Sequence, residues 1–491
     1  MIPLFILLTT VAISLGVTGL FDVRPVLLWT DALIMLLLLV LVFFIVQVRA
    51  SAERRATWRQ VLRSRIGMAT AVILSCYVLV AALDSVHFRP AAQDAAGTAQ
   101  RSGFYSMEVI SVLDLLIMPL HDQMEKSYSA PFATRLYSKE VVVMADGSQQ
   151  RLYPRLQYGG AHLADHEERR GTDIAWRVAQ GAVAGTVLAV LLCGAGVLLV
   201  ARRAGILPGQ LSGVLCGRGG HLPWHVMMLT LSVIIVLIAV AFMLASGYHI
   251  FGTDKVGQDV FYQSLKSIRT ALAIGTLTTL IMLPFALALG LMAGYFRGWI
   301  DDVIQYLYTT LNSIPGVLLI AAAVLMLQVF MAGHPEMFET DAARADMRLL
   351  FLCMILGITS WTGLCRLLRG ETLKVREFDY VQAATSFGVG HLQIITRHVM
   401  PNVMHIVLIS VVLDFSGLVL AEAILSYVGV GVDPSMFSWG NMINGARLEL
   451  AREPVVWWSL LAAFSFMFVL VLAANLFSDV IRDAFDPKMR G

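Results

Sequence analysis

A helix of about 20 mostly apolar residues spans a bilayer. Ten such runs divide this chain, at 2–20, 29–48, 66–83, 178–201, 224–246, 269–293, 302–331, 349–368, 403–427 and 456–479. Inside lipid the backbone has no water to bond, so runs of this length fold as helices. Of 491 residues, 58% are hydrophobic and only 14% charged, whereas a soluble domain carries about a quarter charged. The chain is therefore expected to be an all-α polytopic membrane protein. A formal charge of +2, with no basic cluster interleaved with aromatics, gives no ground for a nucleic-acid partner. The first run has no basic residue ahead of it, so it is expected to remain as a span rather than be cleaved. The five cysteines lie in or beside spans or short loops, and no disulfide framework is expected.

Lys and Arg in short loops mark the cytoplasmic side. Arg49, Arg54, Arg55, Arg59, Arg63 and Arg65 form the densest cluster. Arg202 and Arg203, then Arg366, Arg369, Lys374 and Arg376, then Arg482, Lys488 and Arg490 fall on the same side of a ten-span chain. Arg24, Arg344 and Arg447 sit opposite. This places both termini in the cytoplasm and a polar segment, about 84–176, outside. Within that segment FYSMEVISVLDLLIMPL (104–120) carries Glu108 and Asp114 and reads as an interfacial or packed helix. EVVVMADGSQQRLY (140–153) places Asp146-Gly147 after a β-branched run, a hairpin signal. A small mixed α/β outer unit is expected. His162, Asp165 and His166 could reach one metal ion from a helix, but histidines so placed in a polar loop are more often solvated, and no metal site is expected.

DYVQAATSFGVGHLQIITRHVMPN (379–402) is a polar stretch between two spans, on the cytoplasmic side. Residues 371–387 can form about four to five helical turns, with Leu373, Phe378, Val381 and Ala384 on a partly apolar side. Ala383 and Ala384 are small enough for another surface to approach closely. Gly388 permits a turn with positive φ. HLQIITRHVM then makes a shorter helix, and Pro401 suits the first turn of the next span. Physics alone reads this as an amphipathic loop under the membrane or as a docking element.

The spacing resembles the signature of ABC importer permeases, which runs Glu-Ala-Ala, three residues, Gly, nine residues, Ile-x-Leu-Pro. Gln382, Ala383, Ala384, Gly388, His398, Met400 and Pro401 occupy it in register, with Gln382, His398 and Met400 as departures. Region 252–491 is similar to the second permease subunit of dipeptide and oligopeptide importers, a family that includes nickel importers. GTDKVGQDV (252–260), AGYFRGWIDD (293–302), WTGLCRLLRGETLKVREFDYVQAA (361–384), RHVMPN (397–402), AEAILSYVGVGVDPSMFSWGNMI (421–443) and RDAFDPKMRG (482–491) carry the resemblance in family order.

The resemblance implies a type I importer permease core at 224–491, with a cytoplasmic coupling loop at 369–401 and a periplasmic loop at 428–454. Extra transmembrane helices at 1–83, a periplasmic insertion at 84–177, and an extra helix with a cytoplasmic loop at 178–223 precede it. It implies a bacterial inner-membrane location and an assembly with a second homologous permease subunit, two ATP-binding subunits and a periplasmic solute-binding protein, moving di- or oligopeptides. No Gly-x4-Gly-Lys-Ser/Thr phosphate loop occurs in the chain, so ATP and Mg are expected on the ATPase subunits. This chain is expected to bind no cofactor and to be no enzyme.

Tyr380, Gln382, Ala383, Ala384, Gly388, His398 and Pro401 are the expected ATPase-coupling residues. Asp414 and Glu422 within a span, and Asp433, Trp439 and Asn441 on the outer loop, are candidates for the substrate path. Pro284 and Pro315-Gly316 are expected to kink spans, and Trp457 and Trp458 suit an interfacial anchor. Three other functions compete. Asp414 and Glu422 could serve a proton-coupled secondary transporter, nickel or another small solute could be the cargo, and the outer segment could sense a ligand.

Overall fold

The computed structural model describes residues 23–90, 105–106, 109–143, 149–163, 166–204, 222–338 and 340–485. The run at 2–20, Glu108, the Asp146-Gly147 turn, Asp165 and the tail at 486–491 lie outside the described residues. Nine helices among the described residues are long and apolar enough to cross a membrane, and they coincide with the other nine expected spans.

The chain enters on strand β1 (Val23–Val26) and crosses on α1 (Trp29–Ala50). The basic cluster folds as α2 (Ala52–Arg63), and α3 (Arg65–Asp84) returns. Strand β2 (His87–Pro90) pairs antiparallel with β1 and with β3 (Ile110–Ser111), tying the insertion to the segment ahead of α1. The helix expected over 104–120 is instead two short ones, α4 (Val112–Leu116) and α5 (Met118–Asp122). Ser111 and Asp114 close a capping box at the start of α4, which fixes its entry and leaves the preceding residues to the sheet. The expected hairpin forms from β4 (Glu140–Val143) and β5 (Gln149–Leu152).

Helices α6 (Arg170–Ala204) and α7 (Trp224–Ala245) pack tightly against each other. An added Cβ at Gly181 or Gly185 would lie 2.7 or 2.8 Å from a valine Cα on α7, so small residues set this close crossing. The central element is α8 (Val260–Phe296), about 55 Å long at 1.5 Å per residue. Pro284 lies within it without ending it.

The expected span at 302–331 is two helices, α9 (Trp299–Ser313) and α10 (Gly316–Gly333), divided at Ile314-Pro315. Proline removes a helix hydrogen bond and pushes the residue before it to extended backbone; Ile314 has ψ 131°. Then follow α11 (Asp341–Ser360), α12 (Thr362–Arg376), α13 (Asp379–Ser386), α14 (His391–Tyr427), α15 (Trp439–Glu449) and α16 (Trp458–Phe485). Ala273, Ile274 and Leu277 of α8 meet Leu349, Leu352 and Leu356 of α11. Nearer the other end, Ala286 and Leu291 pack with Cys365 and Leu368 of α12 and Val403 and Val407 of α14. One end of α8 thus abuts the insertion, and the other reaches the polar stretch at 379–402.

Candidate functional site

The polar stretch forms an elbow. The helix expected to run through 371–387 breaks at Glu377 and Phe378, because Phe378 turns extended and its N–H bonds back to the Val375 carbonyl at 3.1 Å. Helix α13 starts there, eight residues long. Only Val381 of that helix is fully buried, while Ala384 and Val389 pack at the edge of the same core cluster.

Gly388 then adopts φ +74°. Its N–H bonds the Thr385 carbonyl at 3.0 Å, and the Val389 N–H bonds the Ala384 carbonyl at 3.1 Å. This double bond pattern is a Schellman C-cap, which needs a left-handed residue at the Gly388 place. Nothing lies within 4 Å of where a Cβ on Gly388 would stand. The demand for glycine is therefore conformational, not spatial.

The segment expected as a separate short helix before the span is continuous with it. A π-helical turn at Ile395–Val399 joins His391–Ile394 to Met400–Tyr427, so Pro401 lies inside α14. Proline offers no N–H to the preceding turn, and such irregular turns recur where the bonding pattern is broken. Asn402 closes the gap: its side-chain amide donates to the His398 carbonyl at 2.6 Å and to the Tyr380 hydroxyl at 3.0 Å. Asn402 thereby bonds α13 to α14. Sequence reading noted it only as the partner of Pro401.

Other contacts hold the elbow to the bundle. Tyr295 bonds His391 Nδ1 at 2.9 Å, and Arg297 pairs with Glu377. The Gln382 amide donates to the Glu377 carbonyl at 3.2 Å, a cap that a carboxylate could not supply. Gly294 on α8 lies against α12, where an added Cβ would sit 2.8 Å from the Arg369 carbonyl. Arg369 also grips Asp301 of α9 through two bonds of 2.6 and 2.7 Å. Those bonds hold the Asp301 carboxyl below its usual range, outweighing burial. On the outward side of the elbow, Phe387 is 86% exposed and Leu392 76%, with Ala383 open beside them. A firm α8–α12 lever thus ends in an apolar, uncovered tip.

At the opposite end the candidate path residues separate. Asp433 accepts from Arg348 Nη1 at 3.2 Å and from Ser435; burial opposes its charge, but these partners hold its carboxyl below the usual range. Asn441 donates to the carbonyls of Asp433 and Met436, fixing the outer loop. Trp439 is 2% exposed and its indole donates to the Ser264 carbonyl at 3.1 Å, so it faces the core of the chain. Trp458 is likewise fully buried and donates to the Thr253 carbonyl at 3.0 Å, while Trp457 alone of that pair is open. Glu422 is buried and accepts from Ser426 at 2.7 Å. Asp414 has no hydrogen-bond or ion-pair partner among the described residues. His162 lies in a 3-10 turn and bonds Asp173 at 2.8 Å.

Three buried charge clusters escaped sequence reading. Arg269 Nε donates to Asp31 at 3.0 Å, His87 bonds the same carboxylate at 2.7 Å, and Thr30 N–H donates to Asp346 at 3.1 Å. Lys266 donates to Asp84 at 2.5 Å and Asp114 at 2.9 Å. His249 bonds Asp259 at 2.7 Å and Glu125 at 3.5 Å. Burial disfavours charge on His249, but its two carboxylate partners outweigh that and hold it at about 9. Burial likewise opposes Glu125, yet His249 and the N–H groups of Gln157, Tyr158 and Gly159 hold it at about 2. The available signal was charge at the ends of apolar runs, where it passes for a span boundary.

Residues 286–491 match the family described as binding-protein-dependent transport system inner membrane component. The chain is 32% identical over 247 residues to the glutathione transport system permease protein of Pectobacterium atrosepticum, covering 50% of this chain and 74% of that one. It is 31% identical over 242 residues to an oligopeptide transport system permease protein of Mycobacterium tuberculosis, covering 49% and 77%. With a dipeptide transport system permease protein of Bacillus subtilis it shares 30% over 245 residues, 50% and 70% of the two chains.

Proposed function

We propose a role for this chain on the premise that it belongs to the binding-protein-dependent transport system inner membrane components: it is the membrane-spanning permease subunit of an ATP-driven importer of short peptides. In this reading the elbow face is cytoplasmic, the insertion face is periplasmic, and both termini are cytoplasmic in a bacterial inner membrane. ATP and Mg belong to two separate ATPase subunits. A solute-binding protein delivers the peptide on the insertion face. A second permease subunit completes the pathway, and the largely exposed apolar side chains of Trp299, Tyr306, Met326 and Val329 on α9 and α10 offer it a surface.

The observation that carries the reading is the elbow. Its inward side rests on Val381, Ala384 and Val389, its outward side presents Ala383, Phe387 and Leu392, and its angle is fixed by Gly388. Tyr380 and the His398 carbonyl, both bonded by Asn402 next to Pro401, position this tip on α14, and Gln382 caps the Glu377 carbonyl where the tip begins. When ATPase subunits close on nucleotide, a groove holding the tip moves α13, and α12 and α14 carry that motion into the bundle as rigid-body rocking. Gly388→Val tests it. A β-branched residue at positive φ costs about 1–3 kcal/mol locally, too little to prevent membrane insertion. The variant is expected to reach the membrane at normal levels, lose co-purifying ATPase and take up no peptide. Normal uptake by Gly388→Val removes the elbow from the mechanism.

A further inference from the structure

Two adjoining cavities, ≈230 and ≈710 Å³, open on the insertion face and share Met331, Ala332 and Arg344 as walls. Together they have the size of a site for a small organic ligand. Three arginines line them: Arg89 from β2 in the added N-terminal part, and Arg344 and Arg348 from α11 of the permease core. Among the described residues, two carboxylates face them. Asp433 is already engaged by Arg348 and Ser435, and Asp341 lies in the first turn of α11, where the helix dipole favours a negative charge.

The donors around this space are under-used. Arg89 Nε, Arg348 Nε and Gln328 Nε2 are shielded from solvent and have no hydrogen-bond partner among the described residues. The Arg344 guanidinium has no partner among the described residues either. A buried donor without an acceptor costs about 1–3 kcal/mol. Three such donors around one pair of cavities, with the exposed Arg344 guanidinium lining both, call for an acceptor that the described residues do not supply.

We infer that this vestibule binds the carboxylate of a peptide in transit, with Arg344 and Arg348 as its main partners and Arg89 completing the wall. The inference rests on the peptide-importer reading above. Arginine suits the task, since its planar fork grips a carboxylate through two parallel bonds. The site also gives the added N-terminal part a share in the pathway, because Arg89 comes from it. That part is fixed against the core by the Arg269–Asp31 and Lys266–Asp84 pairs, so Arg89 is held in register with Arg344.

The test uses the assembly that co-purifies with the tagged full-length chain, reconstituted in proteoliposomes with its binding protein. Uptake of trialanine is compared with uptake of its C-terminal amide, which lacks the carboxylate. Wild type is expected to favour trialanine. Arg344→Gln, which breaks no contact among the described residues, is expected to lower trialanine uptake about tenfold, the worth of one charge-assisted pair, while leaving amide uptake unchanged. Arg89→Gln is expected to act in the same direction with a smaller change, and Arg344→Lys to recover part of the loss. A wild-type preference that survives both glutamine variants overturns the inference and leaves the peptide reading intact. An equal fall for both peptides also overturns it, and points to an acidic surface of the binding protein as the true partner. Uptake of neither peptide by wild type removes the importer reading itself.

Discussion

At the elbow, an eight-residue helix and the turn after it rest on the bundle through Val381, Ala384 and Val389, while at the insertion end Asp31, Asp84, Asp114 and Asp346 are buried around Lys266 and Arg269. The elbow owes its shape to backbone geometry at Gly388 and to a few hydrogen bonds that water can replace. The insertion end is cross-braced by charges that have no substitute once buried. A part that must follow an external motor can be lightly seated, provided the lever behind it is stiff, and the α8–α12 contact at Gly294 supplies that stiffness. A part that must keep two strands, an insertion and five helices in register cannot. The comparison predicts opposite sensitivities: loss of stability at one end, loss of coupling at the other.

The largest expected effect lies in the bracing. Arg269→Met leaves Asp31 buried beside three other carboxylates with one cation fewer. Removing one member of a buried pair costs about 3–5 kcal/mol, enough to deplete the folded protein from the membrane. Arg269→Met combined with Asp31→Leu removes both charges and is expected to recover much of the loss. Heat-induced aggregation of the detergent-solubilised chain measures both. If the single variant melts like wild type, the braced end is not held by charge.

The elbow was legible because its demands are local. A positive-φ turn needs glycine wherever it occurs, so Gly388 announces itself in one dimension, and Ala383, Ala384 and Pro401 stand at fixed distances from it. The spans were legible for the same reason, since twenty apolar residues in a row carry their own meaning. The bracing was not. Lys266 and Arg269 meet aspartates 77 to 238 positions away, and no periodicity links residues so far apart. Each charge looks like the edge of a span until folding brings the edges together. Trp439 and Trp458 misled in the same way: the first reads as an outer-loop residue of the substrate path and the second as an interfacial anchor, but both indoles bond carbonyls in the core. The kink expected at Pro315-Gly316 is a full division of the span, whereas the break at Phe378 and the π turn before Pro401 were missed, because periodicity marks where a helix exists better than where it is interrupted.

A milder test of the braced end uses pH. His249 is raised to about 9 in the folded chain from an ordinary value near 6.5. Its stabilising contribution is therefore complete below about pH 6.5 and disappears as pH rises through 9. Glu125 is depressed to about 2 from an ordinary value near 4.3, so its contribution is complete above that value and disappears only in strong acid. The melting temperature is expected to fall between pH 6.5 and 9. His249→Gln should flatten that slope. A wild-type slope unchanged in His249→Gln assigns the alkaline loss to another group and takes His249 out of the bracing.

The smallest effect sharpens the comparison from the elbow side. Asn402 makes two bonds, one that caps the His398 carbonyl within α14 and one that reaches Tyr380 on α13. Asn402→Ala removes both, and Tyr380→Phe removes only the second. A hydrogen bond at this exposed place is worth about 1 kcal/mol, so neither variant should shift the melting temperature by more than a few degrees. If α13 must be held at a set angle to α14 to pass force, Tyr380→Phe lowers peptide uptake as far as Asn402→Ala does, about fivefold for a bond of that strength, with ATP hydrolysis by the assembly undiminished. If only the cap inside α14 matters, Tyr380→Phe transports normally, and the elbow is coupled through the Gly388 turn alone.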